Sequence, residues 1–125
     1  MKASGKPVSP HVMIYAFPIA AISSITNRVT GTALSLGCAG LGLLELLGGS
    51  GTSYWVMESI GSQGFLVSST AKFGVSFTVL YHYFGAVRHI AWDYSPDYLT
   101  NQDVEKASYL LLGGTTVLSA ATMFV

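Results

Sequence analysis

AISSITNRVTGTALSLGCAGLGLLELL, residues 21–47, begins with hydroxyls, an amide and a guanidinium, and turns apolar and rich in Gly and Ala after Thr32. A helix rises about 1.5 Å per residue, so this stretch exceeds the ~20 residues that cross about 30 Å of hydrocarbon. Whether it spans a bilayer or fills a soluble core depends on the rest of the chain. Of the 125 residues, 10% are charged and 50% hydrophobic, whereas an ordinary soluble domain carries about 25% charged residues. So few charges cannot coat a water-facing surface. The composition therefore predicts a single all-α membrane domain over 1–125. Zero formal net charge argues against a nucleic-acid partner, which calls for a basic surface. The lone Cys38 cannot form an internal disulfide and reads as a small buried hydrophobe.

Two further segments reach spanning length: 64–92, mostly Phe, Val, Leu, Tyr and small residues, and 106–125, ending YLLLGGTTVLSAATMFV. Three transmembrane helices are expected, at 21–47, 64–92 and 106–125. LGGSGTSYW (47–55) predicts a turn, and DYSPDYLTNQDVEK (93–106) gathers Pro96 and most of the acidic residues. In that loop Thr100 or Asn101 can cap the third helix, with Asp103 and Glu105 in its first turn, where the helix dipole favours negative charge. The first ten residues are polar and lack the apolar region of a secretory signal. HVMIYAFPIAA follows, broken by Pro18, so 1–20 reads as a short N-terminal interfacial segment. Three crossings put the termini on opposite sides. Lys2, Lys6, Arg28, Arg88 and Lys106 gather on one side and only Lys72 on the other. The positive-inside rule then turns the N-terminus and the 93–106 loop toward the cytoplasm or an organellar matrix.

YHYFGAVRHIAWD (81–93) sets two histidines and an arginine into the second span. His82 lies deep, ten residues after Lys72 and eleven before Asp93, where polar groups are costly and usually functional. Two roles suit it: hydrogen bonding to Ser or Thr on a neighbouring helix, or ligation of a metal, foremost as an axial ligand to haem. His82, Gly85 and His89 fall at i, i+3 and i+7, one helix face. Gly85 and Ala86 are small enough to leave room for a flat macrocycle. Arg88, ~9 Å farther along the axis, stands where a propionate would reach the surface. Only one histidine is deep, so a second imidazole would come from another polypeptide.

SITNRVTG (24–31) stands at the entrance of the first span, on the side of Arg88 and His89. Ser24 and Arg28, at i and i+4, share a face and can donate hydrogen bonds to a carbonyl oxygen of a polar headgroup. Arg28 can equally snorkel to lipid phosphate. Glu45 and Lys72, near the opposite ends of their spans, read as structural, and Tyr15, Phe17, Trp55 and Trp92 as interfacial aromatics.

Together, SPH at 9–11, S-I-x-x-R-x-T-G at 24–31 and H-x-x-x-x-x-R-H-x-x-x-D at 82–93 resemble, in order and spacing, the large cytochrome b membrane-anchor subunit (cytochrome b560 type) of succinate dehydrogenase, the succinate:quinone oxidoreductase of mitochondrial complex II. The resemblance implies a partner, the small cytochrome b anchor subunit, with haem b held between the two. It implies that both anchor the iron-sulfur subunit and the flavoprotein subunit at the matrix face of the mitochondrial inner membrane. Electrons would pass to a quinone of ubiquinone or rhodoquinone type, or run in reverse in quinol:fumarate reduction. His82 matches the axial ligand of the haem iron, with the second ligand from the small subunit. Ser24, Ile25 and Arg28 match the quinone pocket, and Arg28 and His89 the neighbourhood of the haem propionates. Two positions depart from the pattern. Asn27 stands where the family commonly carries histidine, and Ala86 where it tends to carry glycine, with Gly85 one place earlier.

By itself the chain is not expected to catalyse, having no flavin-binding glycine motif and no cysteine spacing for an iron–sulfur cluster. Two rivals stand beside the enzyme-subunit reading: a non-redox structural or assembly membrane subunit, and a haem-binding electron carrier without a quinone site.

Overall fold

The structure, a computed structural model, describes residues 5, 7 and 9–124. Lys2 and Lys6, which enter the charge argument, and Val125, the end of the expected third span, lie outside the described residues. Four α-helices follow one another: α1 (Ile19–Gly48), α2 (Thr52–Gly61), α3 (Phe65–Tyr94) and α4 (Asn101–Ala121). Short 3-10 turns cover His11–Ile14, Pro96–Tyr98 and Thr122–Phe124. α1 and α3 have 30 residues each, about 45 Å of helix.

The helix ends follow from local chemistry. Pro18, with φ −66°, is the residue before α1; its fixed φ and missing N–H suit a helix start. Past Gly48 the chain turns through Gly49 (φ +88°) and Gly51 (φ +91°), values that favour glycine. The turn is shorter than the 47–55 expected, because α2 begins at Thr52. Glu45, at the end of α1, reaches across and accepts hydrogen bonds from the backbone N–H groups of Gly51 (2.8 Å) and Ser53 (2.9 Å) and from the Ser53 hydroxyl. A carboxylate thus meets donors that would otherwise stand open at a helix start. α4 begins at Asn101 with Thr100 as its cap, one of the two caps expected from the sequence: the Thr100 hydroxyl accepts from the Asp103 N–H at 3.2 Å, so the helix starts five residues before the 106 expected for the span itself. Asp103 lies in the first turn and Glu105 beyond it.

α3 packs antiparallel between α1 and α4, which also touch each other, and α2 bridges one end of α1 and α3. The interior of this bundle is small and polar. Its buried residues are Tyr81, Leu111, Gly85 and a set of hydroxyls: Ser23, Thr30, Ser69, Ser108, Thr115 and Ser119. Many hydroxyls bond back to their own helix, as Ser108 does to the Val104 carbonyl (2.7 Å) and Thr115 to that of Leu111 (2.6 Å). The outside is apolar, with Leu66 80%, Leu110 76% and Val117 70% exposed. In water this arrangement would leave large apolar patches uncovered; in lipid, small residues between helices and aliphatic residues outside are the stable solution. Cys38 is exposed, not buried as its apolar run suggests, because the outer surface is itself the apolar one.

Among the described residues, two helices are long and apolar enough to cross a membrane: α1, and the continuous stretch Asn101–Phe124. α3 matches α1 in length but carries Ser68, Ser69, Lys72, Ser76, His82 and Arg88, so composition alone does not mark it as the third of the expected spans.

Candidate functional site between α1 and α3

Ser23, Asn27, Thr30 and Gly31 fall at helical spacing along one stripe of α1 and face α3. At one level the Tyr81 hydroxyl, fully buried, lies 3.0 Å from Ser23 Oγ and 3.1 Å from the Ser23 carbonyl oxygen. Tyr81 is packed from behind by Phe77, ring centroids 5.3 Å apart. Deeper along α1, the half-buried His82 ring sits against the same stripe.

His82 Nδ1 lies 3.1 Å from the main-chain oxygen of Asn27. A carbonyl can only accept, so Nδ1 carries the proton, and in the neutral ring Nε2 keeps the lone pair. The Thr30 hydroxyl donates to the same carbonyl at 3.0 Å. Gly31 gives the ring its seat: a Cβ there would stand 2.7 Å from His82 Cε1. The side chain of Asn27 points at Gly85, where a Cβ would collide with its carboxamide oxygen. That oxygen is buried and has no hydrogen-bond partner.

This donor set suits a haem better than a bare ion. No group of three His, Cys, Asp or Glu side chains able to hold a metal exists among the described residues. One imidazole, oriented through its second nitrogen, matches an iron whose equatorial ligands come from a macrocycle. The room expected at Gly85 is a correction to the sequence reading: Gly85 is buried beneath Asn27 of α1, while Ala86 is exposed. Close packing of α1 on α3 occupies that space.

Ser24 and Arg28 share a flank of α1 next to the His82 stripe, Ser24 half-buried and Arg28 exposed. Neither an ion pair nor a side-chain hydrogen bond holds Arg28 among the described residues. Ile25 is 46% exposed and lies farther round the helix, away from Ser24. His89 is exposed and meets Trp92 edge-on, centroids 5.6 Å apart. No hydrogen bond joins His89 to Arg28 or Ser24 among the described residues. His82 thus sits at the α1–α3 contact, Ser24 and Arg28 lie on the adjoining flank of α1, and His89 stands nearer the end of α3. Lys72 is exposed at the opposite end of α3.

Sequence reasoning missed the role of Gly31 and of the Asn27 carbonyl. The spacing of Asn27 and Gly31, one turn apart, carried the signal, but a backbone acceptor leaves no mark in side-chain chemistry. It also missed the Ser108 contact of Arg88 (3.1 Å) and the seat of that guanidinium over Trp92, 4.7 Å from the ring centroid.

A family model described as succinate dehydrogenase/fumarate reductase transmembrane subunit matches residues 2–122. The chain is 34% identical over 125 residues to the mitochondrial succinate dehydrogenase cytochrome b560 subunit of Dictyostelium discoideum, an alignment covering 100% of this chain and 65% of that protein. Against the pig protein of the same name identity is 35% over 118 residues, covering 94% and 69%. Against the succinate dehydrogenase cytochrome b556 subunit of Paracoccus denitrificans it is 31% over 130 residues, covering 96% and 91%. The chain thus spans about two thirds of the length of those two mitochondrial relatives and nearly all of the bacterial one.

Proposed function

The chain belongs to the succinate dehydrogenase/fumarate reductase transmembrane-subunit family, and from that premise we propose that it is a membrane anchor of a mitochondrial succinate:quinone oxidoreductase, supplying His82 as one axial ligand to haem b and Ser24 with Arg28 as one wall of a quinone site. The observation that carries this reading is the 3.1 Å contact of His82 Nδ1 with the Asn27 carbonyl, which leaves Nε2 as the ligating nitrogen.

α3 is the third crossing. It lies antiparallel between two helices of spanning length, and a connector of equal length packed between two parallel spans shares their slab of hydrocarbon. Arg28, Arg88 and Lys106 then collect at one membrane face, the matrix side under the positive-inside rule.

Within this reading each residue has a defined task. The Asn27 carbonyl fixes the tautomer and plane of His82, and Gly31 lets the ring lie against α1. When bound, haem would supply a one-electron redox centre. Arg28 and Ser24 donate hydrogen bonds to a quinone carbonyl oxygen and stabilise the negative charge that builds there as electrons arrive. Ile25, farther round α1, would add apolar surface at the rim of the site, and Arg28 and His89 are the polar groups that would serve the propionates of a bound haem. Two electrons and two protons convert quinone to quinol. The electrons come from outside this chain, from an iron-sulfur subunit fed by a flavoprotein subunit, or run the other way in quinol:fumarate reduction. A second imidazole for that haem would come from the small anchor subunit.

The test is the complex purified in mild detergent. The wild type should show a b-type haem spectrum that His82→Ala loses. Arg28→Ala should keep that spectrum and keep succinate oxidation with a soluble dye. Its quinone reduction should fall roughly 10- to 100-fold, the loss of a charged hydrogen bond worth about 1.5–3 kcal/mol. A wild-type complex without haem would turn the reading toward a non-redox scaffold. Equal loss of both activities in Arg28→Ala would remove the quinone role.

A further inference from the structure

Arg88 is turned away from the site just described. Six residues beyond His82, it lies about 120° around the helix from it and faces α4 rather than α1. One of its terminal N–H groups donates to Ser108 Oγ at 3.1 Å, and its guanidinium carbon sits 4.7 Å over the Trp92 ring. Its Nε is buried and has no hydrogen-bond partner. No carboxylate pairs with it among the described residues. Five donors on a guanidinium, one of them used, make a fixed cation that lacks its anion.

Beside it, α3 and α4 leave a cleft of about 380 Å³. Phe84, Val87 and Ala91 line it from α3, and Leu110, Gly114 and Leu118 from α4, with Arg88 in its wall. From Ala91 to Phe84 the cleft runs about 10 Å along the axis, from the Arg88 end toward the middle of the bundle. Gly114 keeps the α4 side shallow, and a Cβ there would meet nothing within 4 Å.

We propose that the α3–α4 cleft binds an anionic phospholipid, its phosphate on Arg88 and one acyl chain along Val87, Phe84 and Leu118. The charge selects the occupant: an apolar channel opening at an unneutralised, pre-positioned guanidinium is complementary to a chain that carries its own anion, whereas a neutral lipid or a quinone would leave Arg88 uncompensated. Ser108 and Trp92 hold the guanidinium in place, so less order is lost on binding than for a freely moving arginine. The proposal needs α3 and α4 to lie in a bilayer and does not depend on haem or quinone.

The assembled complex is stripped of lipid in detergent and offered phosphatidylglycerol, phosphatidylcholine or inorganic phosphate, with binding read by native mass spectrometry and by the melting temperature. The wild type should retain phosphatidylglycerol over phosphatidylcholine by roughly five- to ten-fold, the scale of one interfacial charge contact, and should melt higher in its presence. Arg88→Gln should lose that preference. Gly114→Leu, which fills the cleft and leaves the charge, should lose retention of both lipids, and Lys106→Gln, an exposed cation outside the cleft, should behave as wild type. Equal retention of the two lipids by the wild type, the same stabilisation by inorganic phosphate alone, or an unchanged preference in both Arg88→Gln and Gly114→Leu would overturn the site. If Arg88→Gln fails to assemble, Gly114→Leu alone decides. A haem spectrum kept in Gly114→Leu while lipid is lost separates this site from the cofactor reading.

Discussion

Replacing Gly31 by alanine tests the seat of His82 directly. The new Cβ would stand 2.7 Å from Cε1, 3.2 Å from Nδ1 and 3.5 Å from Nε2 of the ring. Carbon atoms in contact settle at about 3.5–4.0 Å, so the ring must withdraw by about 0.8 Å or the two helices must part. The imidazole cannot bend, and withdrawing it along the same direction stretches the 3.1 Å contact with the Asn27 oxygen to about 3.9 Å, beyond a hydrogen bond. Overpacking costs about 1–3 kcal/mol and the lost hydrogen bond about 0.5–1.5 kcal/mol. The helix preference for alanine over glycine, about 1 kcal/mol, offsets part of this. A net loss of roughly 1–3 kcal/mol is expected. The assay is thermal unfolding of the purified protein in mild detergent, with Gly37→Ala as companion, because nothing lies within 4 Å of a Cβ at Gly37. Gly31→Ala should melt lower and Gly37→Ala at or above the wild type. Equal behaviour of the two would refute the placement of the imidazole on α1.

Tyr81→Phe removes the hydroxyl that joins α3 to Ser23; it should lower stability by roughly 0.6–1.7 kcal/mol, the range for hydrogen bonds between membrane helices, read from the same melting curves. Thr100→Ala removes the cap of α4 and should cost about 1 kcal/mol, with Thr100→Asn restoring it; faster hydrogen exchange at the amides of 101–104 in the alanine variant alone would register the loss.

The three long helices were legible from their length and scarcity of charge, signals that need no knowledge of neighbours, although among the described residues only α1 and Asn101–Phe124 are apolar enough to read as spans on composition alone. Their ends were less so. α2 escaped because its start depends on Glu45 folding back from α1 onto Gly51 and Ser53, a contact between residues six and eight apart that Gly-rich sequence disguises as a turn. Cys38 and Gly85 were misjudged for one shared reason. Burial in this bundle runs opposite to that of a soluble core, so the apolar run holding Cys38 faces out, and the glycine that looked like open space lies under a neighbouring helix. Of the candidate site, the residue types were readable, since a deep imidazole and an interfacial guanidinium are costly in lipid. Their placement was not: the register of α1 on α3 sets His82 against Asn27 and Gly31, beside the flank that carries Ser24 and Arg28, and His89, one face-repeat from His82, ends beside Trp92 instead.

That register also joins the two positions where the chain departs from the pattern it resembles. Asn27 and the Gly85–Ala86 pair look independent in sequence, 58 residues apart for the first two. In the fold they form one contact, the Asn27 carboxamide lying where a Cβ on residue 85 would be. A glycine moved one place along α3 is turned about 100° around the helix, and here that turn brings it beneath residue 27 of α1. The acceptor for His82, by contrast, is the main-chain oxygen of Asn27, which any side chain at that position would leave in place. Ring orientation is therefore insulated from the exchange of an imidazole for a carboxamide at residue 27. What the exchange alters is the closeness of α1 and α3 and the titration of the site, because the carboxamide carries no proton that can leave near neutral pH. The two departures thus act on helix packing together, while the orientation of the His82 ring rests on a backbone atom neither of them touches.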